Sequence, residues 1–170
     1  MKYLRKFESY KTEILDDIFK WVKIHGNQRI HISDKPIDEI KDVEQRDVLK
    51  SKPRGLWYSF GDEWANFSYY EDWVDVEHAY VLEVDKSKLL RLITEEDVHK
   101  FTIEYSPKEY LVDWKGVSQK WSGIEIPTYY KFNFRNLYRK DPIYNWLYPW
   151  DVTSGCIWKK DAIKSIKVII

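Results

Sequence analysis

The sequence predicts an α+β domain built from mixed or antiparallel strands. Short strand-like stretches dominate its 170 residues, and the helical stretches concentrate in the first two-thirds. Strands and helices do not follow each other in the regular order of βαβ units. Because no repeat, low-complexity tract or flexible linker interrupts the chain, we expect a single domain over residues 1–170. Residues 1–28 form its N-terminal helical extension.

Helices are predicted where apolar residues recur at helical spacing. Residues 11–24 place Ile14, Leu15, Ile18, Phe19 and Val22 on one face, and Gly26 follows as a stop. Pro36 opens a second helical stretch with Ile37, Ile40 and Val43 in register. Shorter helices are predicted at 64–70, 87–91, 94–99 and, capped by Asp113, at 114–121.

Strands are predicted from short β-branched or alternating runs. These runs are residues 29–33, 56–60, 78–84, 101–105, 124–126, 155–158 and 165–170. Side chains alternate between the faces of a strand, so only one of Trp57 and Tyr58 faces the core.

Composition narrows the class of function. The 28 basic residues balance the 28 acidic ones, so we expect no strong binding of a polyanion. The apolar runs are too short for a membrane span, and charges occupy the start of the chain, where a signal peptide is apolar. We therefore expect a cytoplasmic protein with no membrane partner.

Common catalytic and metal-binding motifs are missing from the sequence. There is neither a P-loop nor a GxGxxG turn, and the four His residues lack the spacing of a metal site. We therefore predict no metal. Cys156 lies in an apolar strand, which favours a buried structural thiol over a nucleophile.

Aromatic residues are abundant, with nine Trp, thirteen Tyr and seven Phe. We expect most of them in the core. Others occupy polar, turn-rich stretches, including 57–58, 69–73 and 144–150. Aromatics placed there suit a cleft that stacks a flat ligand: a nucleobase, a nicotinamide or a sugar face.

Three separated segments carry a family resemblance. They are Arg29-Ile30-His31-Ile32-Ser33, then Arg54-Gly55-Leu56-Trp57-Tyr58-Ser59 with the downstream Trp64–Tyr70, and finally Ser154–Ile166. In order and spacing they resemble the three conserved blocks of the ADP-ribosyltransferase superfamily, which includes poly-ADP-ribose polymerases, bacterial toxins, and phage and bacterial transferases. The resemblance implies a split β-sandwich of mixed or antiparallel strands, with helices on the N-terminal side.

The resemblance also implies a site for NAD, used as a substrate. His31 would hold the adenosine ribose, and the neighbouring backbone and Ser33 would complete the first block. Trp57 and Tyr69 or Tyr70 would sandwich the nicotinamide, whose amide Ser59 and Ser68 would bind. Gly55 belongs to the second block. His31, Trp57 and Asp151 are thus expected to meet around one bent dinucleotide.

The sequence departs from the family pattern at the catalytic carboxylate. Ser154 aligns with the usual Glu and cannot supply its negative charge. Asp151 is the nearest replacement, and Glu125 in the segment Trp121–Ile126 is the second.

Three functions remain open from the sequence. The first is an NAD-dependent mono-ADP-ribosyltransferase that releases nicotinamide and modifies a protein or nucleic-acid acceptor. The second is a catalytically degenerate relative that binds NAD, ADP-ribose or a partner protein without turnover. The third is an aromatic-rich domain that stacks single-stranded nucleic acid or sugar; the balanced charge disfavours its nucleic-acid version. The acceptor and the role as toxin, phage or bacterial effector, or regulator are not specified.

Overall fold

Helices and strands are interspersed along the chain, which confirms a mixed α/β class. The computed structural model describes residues 2–71, 76–108, 110–131 and 134–169. The described helices are α1 (Lys2–His25), α2 (Glu63–Glu71), α3 (Glu95–Tyr105), α4 (Trp114–Lys120) and α5 (Arg135–Lys140). The described strands are β1 (Arg29–Ser33), β2 (Leu56–Phe60), β3 (His78–Val84), β4 (Leu89–Arg91), β5 (Gly123–Ile126), β6 (Ser154–Ile157) and β7 (Ile163–Val168). Short 3₁₀ helices cover Lys86–Lys88, Pro142–Trp150 and Lys160–Ala162.

The chain packs as two compact units, and the first comprises Met1–Glu39, Tyr58–Glu83 and Lys164–Ile170. Its strands lie in the order β2-β1-β3-β7. The central strand β1 pairs antiparallel with β2 and β3, with Ile30 opposite Ser59 and Val81.

Helix α1 follows the apolar spacing that predicts it. Ile14, Leu15 and Ile18 are buried. Gly26 comes directly after the helix with a φ of 76°, a left-handed conformation that glycine adopts without steric cost.

The second unit comprises Ile40–Trp57 and Val84–Ile163. Strand β5 is central here, because it pairs parallel with β4 and antiparallel with β6. An aromatic-rich core packs in this unit, and its fully buried indoles are Trp114, Trp146, Trp150 and Trp158. The expectation that most aromatics serve the core holds for this cluster.

Three of these indoles satisfy their N–H groups inside the unit. Trp114 donates to the Lys50 carbonyl at 2.8 Å, Trp146 to the Thr102 hydroxyl at 2.9 Å, and Trp158 to the Trp121 carbonyl at 2.7 Å. The Trp150 N–H is buried and has no hydrogen-bond partner among the described residues. The core thus fixes the backbone of Lys50 as well as its own side chains.

Two predicted elements are wrong. The stretch after Pro36 is irregular rather than helical, because its groups bond outside the stretch: the Val43 N–H donates to the Trp158 carbonyl at 2.7 Å. The predicted strand at 101–105 is the second half of α3. A capping box between Thr94 and Asp97 starts that helix, and Val98 and Phe101 continue its buried face.

The other elements agree with prediction to within a few residues or in part. The stretch 87–91 divides between a 3₁₀ turn and strand β4. Helix α5 and the long 3₁₀ helix were not predicted. Residue 170, the end of the last predicted strand, lies outside the described residues, as do 72 and 73 of the aromatic stretch 69–73.

A helix that is apolar over the length of a bilayer is not found in the portion of the chain that the structure describes. The single-domain assignment over 1–170 stays a prediction.

Candidate functional site

Two of the predicted site residues, Trp57 and Asp151, lie on either side of one lysine in the second unit. The ammonium of Lys52 lies 5.2 Å from the centre of the Trp57 ring, within cation–π range. It also lies 3.8 Å from a carboxylate oxygen of Asp151. Both charged side chains are partly exposed, 36% for Lys52 and 40% for Asp151. A flat aromatic surface, a cation and a carboxylate are therefore grouped at one accessible place.

Trp57 is held in this group by the core behind it. Its neighbour Tyr58 is completely buried, whereas Trp57 is only half-buried. Ser59 and Phe60 are buried as well, so burial along β2 does not follow the predicted alternation. The Trp57 ring packs edge-on against Trp150, with 5.1 Å between their centres. Aromatic pairs of this kind contribute about 0.5–1.5 kcal/mol beyond burial. One part of the Trp57 ring is thus anchored while another part remains accessible.

Asp151 has an unusual backbone conformation. Its φ is 53° and its ψ is −50°, and among the described residues it is the one with a positive φ that is not a glycine. The hydroxyl of Tyr130 donates to the Asp151 carbonyl at 3.0 Å and helps to hold the turn. The carboxylate is consequently directed by a constrained turn at the end of the 3₁₀ helix.

The charge of Lys52 is affected by its surroundings. Burial lowers its pKa from the ordinary lysine value, and the nearby Asp151 carboxylate partly restores it. A cation in this position is therefore less well solvated than a surface lysine.

The other two catalytic candidates are buried in the strands of the second unit. Glu125 on β5 is fully buried and accepts a hydrogen bond of 2.6 Å from the Arg91 guanidinium. Ser154 on β6 is 1% exposed, and its hydroxyl donates to the Val152 carbonyl at 2.9 Å. Their side chains are thus buried inside the protein, whereas the Asp151 side chain is 40% exposed, and their catalytic roles stay predictions.

Gly55 lies where two backbone segments approach each other closely. Its φ is 153°, and a Cβ built at this position would lie 2.2 Å from the Ile157 carbonyl oxygen and 2.9 Å from the Cys156 Sγ. The structure therefore explains a glycine here by packing against β6, whether or not the residue also contacts NAD.

The residues of the predicted first block lie in the first unit. His31 on β1 stands opposite Tyr80 on β3, with 6.1 Å between the ring centres. The Ser33 hydroxyl donates to the Lys35 carbonyl at 2.6 Å. Their proposed contacts with NAD, and the meeting of His31 with Trp57 and Asp151, stay predictions.

The serines and tyrosines of the second block, also in the first unit, divide into core and surface. The Ser59 hydroxyl is buried and accepts from the Trp64 N–H at 3.2 Å, at the start of α2. Ser68 is fully buried, and its hydroxyl has no hydrogen-bond partner among the described residues. Tyr69 and Tyr70 are 56% and 78% exposed, with their rings edge-on at 5.2 Å. Two exposed rings next to each other are compatible with stacking a ligand, which stays a prediction for both.

Two residues at these sites were missed by the sequence reasoning. Lys52 lies two residues before the second block and belongs to no motif, although it contacts Trp57 and Asp151. Arg91 is the ion-pair partner of Glu125. A fully buried carboxylate predicts a cationic partner, but the sequence offers 28 basic residues and does not select one.

A cavity of about 410 Å³ with aromatic walls opens in the second unit. Its lining is Ser51, Tyr110, Asn145, Tyr148 and Pro149. Tyr110 and Tyr148 are more than half exposed. Part of the stretch 144–150 thus borders a cavity, and the stacking of a flat ligand there stays a prediction.

No group of three or more His, Cys, Asp or Glu side chains that could hold a metal ion occurs within residues 2–71, 76–108, 110–131 and 134–169.

A scan against protein-family models and searches of curated proteins and of solved structures find no match for this chain.

Proposed function

We propose that this chain is an NAD-dependent mono-ADP-ribosyltransferase with an ADP-ribosyltransferase-like split β-sandwich, modifying a protein or nucleic-acid acceptor. The observation that supports the proposal is the grouping of Trp57 and Asp151 around Lys52. The family resemblance assigns nicotinamide stacking to the first of these residues and makes the second the nearest substitute for the missing Glu. Of the three catalytic candidates, Asp151 is the one with an accessible side chain.

The reaction breaks the bond between the nicotinamide nitrogen and C1′ of its ribose. The bonding electrons leave with nicotinamide, and positive charge develops at C1′. A nucleophilic atom of the acceptor then forms the new bond to C1′, and its proton passes to solvent. Trp57 would support the departing ring through its accessible part, and the Asp151 carboxylate would offset the developing charge.

Asp151 is expected to contribute a measurable part of the rate. A hydrogen bond to a charged group is worth about 1.5–3 kcal/mol, which corresponds to roughly 10- to 150-fold in rate. Ser154, engaged with the Val152 carbonyl, would not replace it. Asp151→Asn is the appropriate variant to compare with the wild type, because Asn removes the charge and keeps the size and a hydrogen-bonding oxygen of the side chain.

One observation favours a second candidate, a degenerate domain that binds ADP-ribose without turnover. The Lys52 ammonium already lies over the Trp57 ring, where the cationic nicotinamide of NAD would have to stack. Two like charges at one ring repel each other. ADP-ribose lacks the nicotinamide cation but keeps the anionic diphosphate, so Lys52 would attract it.

The experiment that separates these functions follows nicotinamide release from NAD by the full chain, with binding of NAD and ADP-ribose measured by calorimetry. The transferase predicts release that Asp151→Asn reduces at least tenfold. The control Asp161→Asn, which removes a carboxylate paired with Lys88 in the same unit, should leave release unchanged.

Binding without release, with ADP-ribose bound more tightly than NAD, would replace the transferase by the degenerate binder. Lys52→Met should then weaken ADP-ribose binding. Absence of binding for both nucleotides would refute both functions.

A further inference from the structure

A second cavity in the same unit is lined by cationic side chains. Its volume is about 310 Å³, at the small end of the roughly 300–1,000 Å³ typical of small-molecule sites. Its lining is Gln45, Arg46, Val48, Lys50, Lys52 and Arg54, with Trp114 at its wall. We call it the basic cavity. Four of these side chains carry a positive charge and none carries a negative one.

The carboxylates near the basic cavity do not line it. Asp47 lies between two lining residues in sequence but forms an ion pair of 2.8 Å with Lys115. Glu44 approaches through its backbone, whose carbonyl accepts from the Arg54 guanidinium at 3.5 Å. Asp151 lies 3.8 Å from Lys52 and provides partial compensation. Four cations facing one concave space therefore retain an excess of positive charge, which attracts anions.

The backbone that carries these cations is held in place at several points. The Gln45 side chain accepts from the Arg54 N–H at 2.9 Å and donates to the Arg54 carbonyl at 2.7 Å. Lys50 pairs with Val112 through both of its backbone groups, at 3.2 and 2.9 Å. The Trp114 indole donates to the same Lys50 carbonyl at 2.8 Å. The loop is closed at its ends and fastened in the middle, so its charges are preorganised rather than collected by a mobile segment.

We infer that the basic cavity binds the diphosphate group of a small molecule. Arginine guanidinium groups bind phosphate oxygens in pairs, and lysines add point charges, so two arginines and two lysines suit an anion with several oxygens. A concave site of this size in a chain with balanced charge favours a small anion over a nucleic acid. The inference deepens the proposed function and rests on its assignment of a diphosphate-bearing ligand near Lys52, but it does not depend on NAD turnover.

The test is calorimetric titration of the full chain with inorganic pyrophosphate at an ionic strength of about 0.15 M, where long-range attraction is screened. Saturable one-to-one binding is expected. Arg46→Gln and Lys50→Gln should each weaken it about tenfold, the factor expected for loss of one charge-assisted contact. Lys167→Gln is the matched control, since Lys167 is an exposed lysine on β7 of the other unit, and it should change nothing.

A parallel titration with ADP distinguishes free diphosphate from the diphosphate of a nucleotide. If ADP binds more tightly than pyrophosphate, and Tyr148→Ala abolishes only that difference, the ligand is a nucleotide whose ring enters the aromatic cavity. If pyrophosphate binds as tightly as ADP, the diphosphate alone is the ligand.

The inference would be overturned if pyrophosphate showed no saturable binding up to about 5 mM. Equal weakening of binding by Lys167→Gln and Lys50→Gln would overturn it as well. Tighter binding of a single-stranded oligonucleotide that pyrophosphate does not displace would also overturn it, in favour of a nucleic-acid surface. Asp151→Asn separates this inference from the proposed function. It should strengthen pyrophosphate binding by removing a competing anion, while it reduces nicotinamide release.

Discussion

Replacing Gly55 by Ala tests whether the second block is shaped by packing against β6. The added Cβ would lie 2.2 Å from the Ile157 carbonyl oxygen, well inside the separation of about 3.5 Å at which heavy atoms attract. Backbone on one side or the other must therefore move by about 1 Å, and overpacking of a well-filled interior costs about 1–3 kcal/mol. The backbone conformation at φ 153° adds about 1–3 kcal/mol for a residue with a side chain. We expect Gly55→Ala to lower the free energy of unfolding by about 2–6 kcal/mol, the sum of the two costs.

Gly26→Ala is the matched control for this prediction. Gly26 also has a positive φ, of 76°, but a Cβ there would meet nothing within 4 Å. Its cost should be the backbone term alone, about 1–2 kcal/mol. The assay is urea unfolding followed by circular dichroism and tryptophan fluorescence, supported by thermal melts in which 1 kcal/mol corresponds to about 2–4 °C for a chain of this size.

The decisive quantity is the difference between the two variants. A loss at Gly55 that exceeds the loss at Gly26 by about 1 kcal/mol or more, the lower end of the overpacking cost, supports the steric reasoning. Equal losses, or a Gly55→Ala protein as stable as the wild type, would show that the close approach to Ile157 does not constrain this segment.

Two further predictions concern buried ionisable groups. Arg91→Met should destabilise the protein by about 1.5–3 kcal/mol, because the 2.6 Å hydrogen bond to Glu125 is lost. In a double-mutant cycle with Glu125→Gln, measured by urea unfolding, the two losses of stability should not add. Additive losses would show that the pair is not coupled. Burial raises the pKa of Cys156 well above its ordinary value, so the thiol should react with a disulfide reagent only after unfolding, and rapid labelling of the native protein would contradict this. The unfolded thiol ionises near pH 9, whereas the folded one keeps its proton. The contribution of this residue to the free energy of unfolding should therefore fall as the pH rises above about 9, and Cys156→Ala should remove this pH dependence.

Apolar spacing and local capping were the most informative signals in the sequence. The run Ile14, Leu15 and Ile18 identifies the buried face of α1, and Asp113 caps α4 through the Gly116 N–H as expected. The apolar spacing and the cap each involve residues only a few positions apart, so the local sequence is enough to reveal them. Strand alternation was less informative, because Ser59 and Phe60 are buried together with Tyr58, and only Trp57 and Leu56 are half-buried.

Elements fixed by distant partners were not predictable in this way. The stretch after Pro36 has helical spacing, but the Val43 N–H bonds to Trp158, more than a hundred residues away. Phe101 belongs to a helix because Thr94 and Asp97 start it upstream, whereas its own β-branched neighbours suggested a strand. Tertiary hydrogen bonds and an upstream cap outweighed local propensity in these two cases.

The resemblance named two residues of the candidate site, but it did not predict the cation around which they are grouped. The resemblance selected Trp57 and Asp151, which share a contact with Lys52. It gave no reason to select Lys52, because the chain contains many lysines and only the folded surroundings of Lys52 distinguish it from the others. Likewise, the burial of Glu125 and Ser154 depends on the pairing of β5 with β6, which sequence spacing alone does not reveal.

Consecutive residues of one short segment face different cavities: Lys50 and Lys52 line the basic cavity, and Ser51 between them lines the aromatic one. Within these three residues the cavity that is lined therefore changes from one residue to the next. A shift of this segment by one residue relative to its backbone pairing with Val112 would exchange these positions, placing an ammonium group beside the tyrosines and a hydroxyl beside the arginines. Point substitutions can tune either cavity separately, but such a shift would alter both at once.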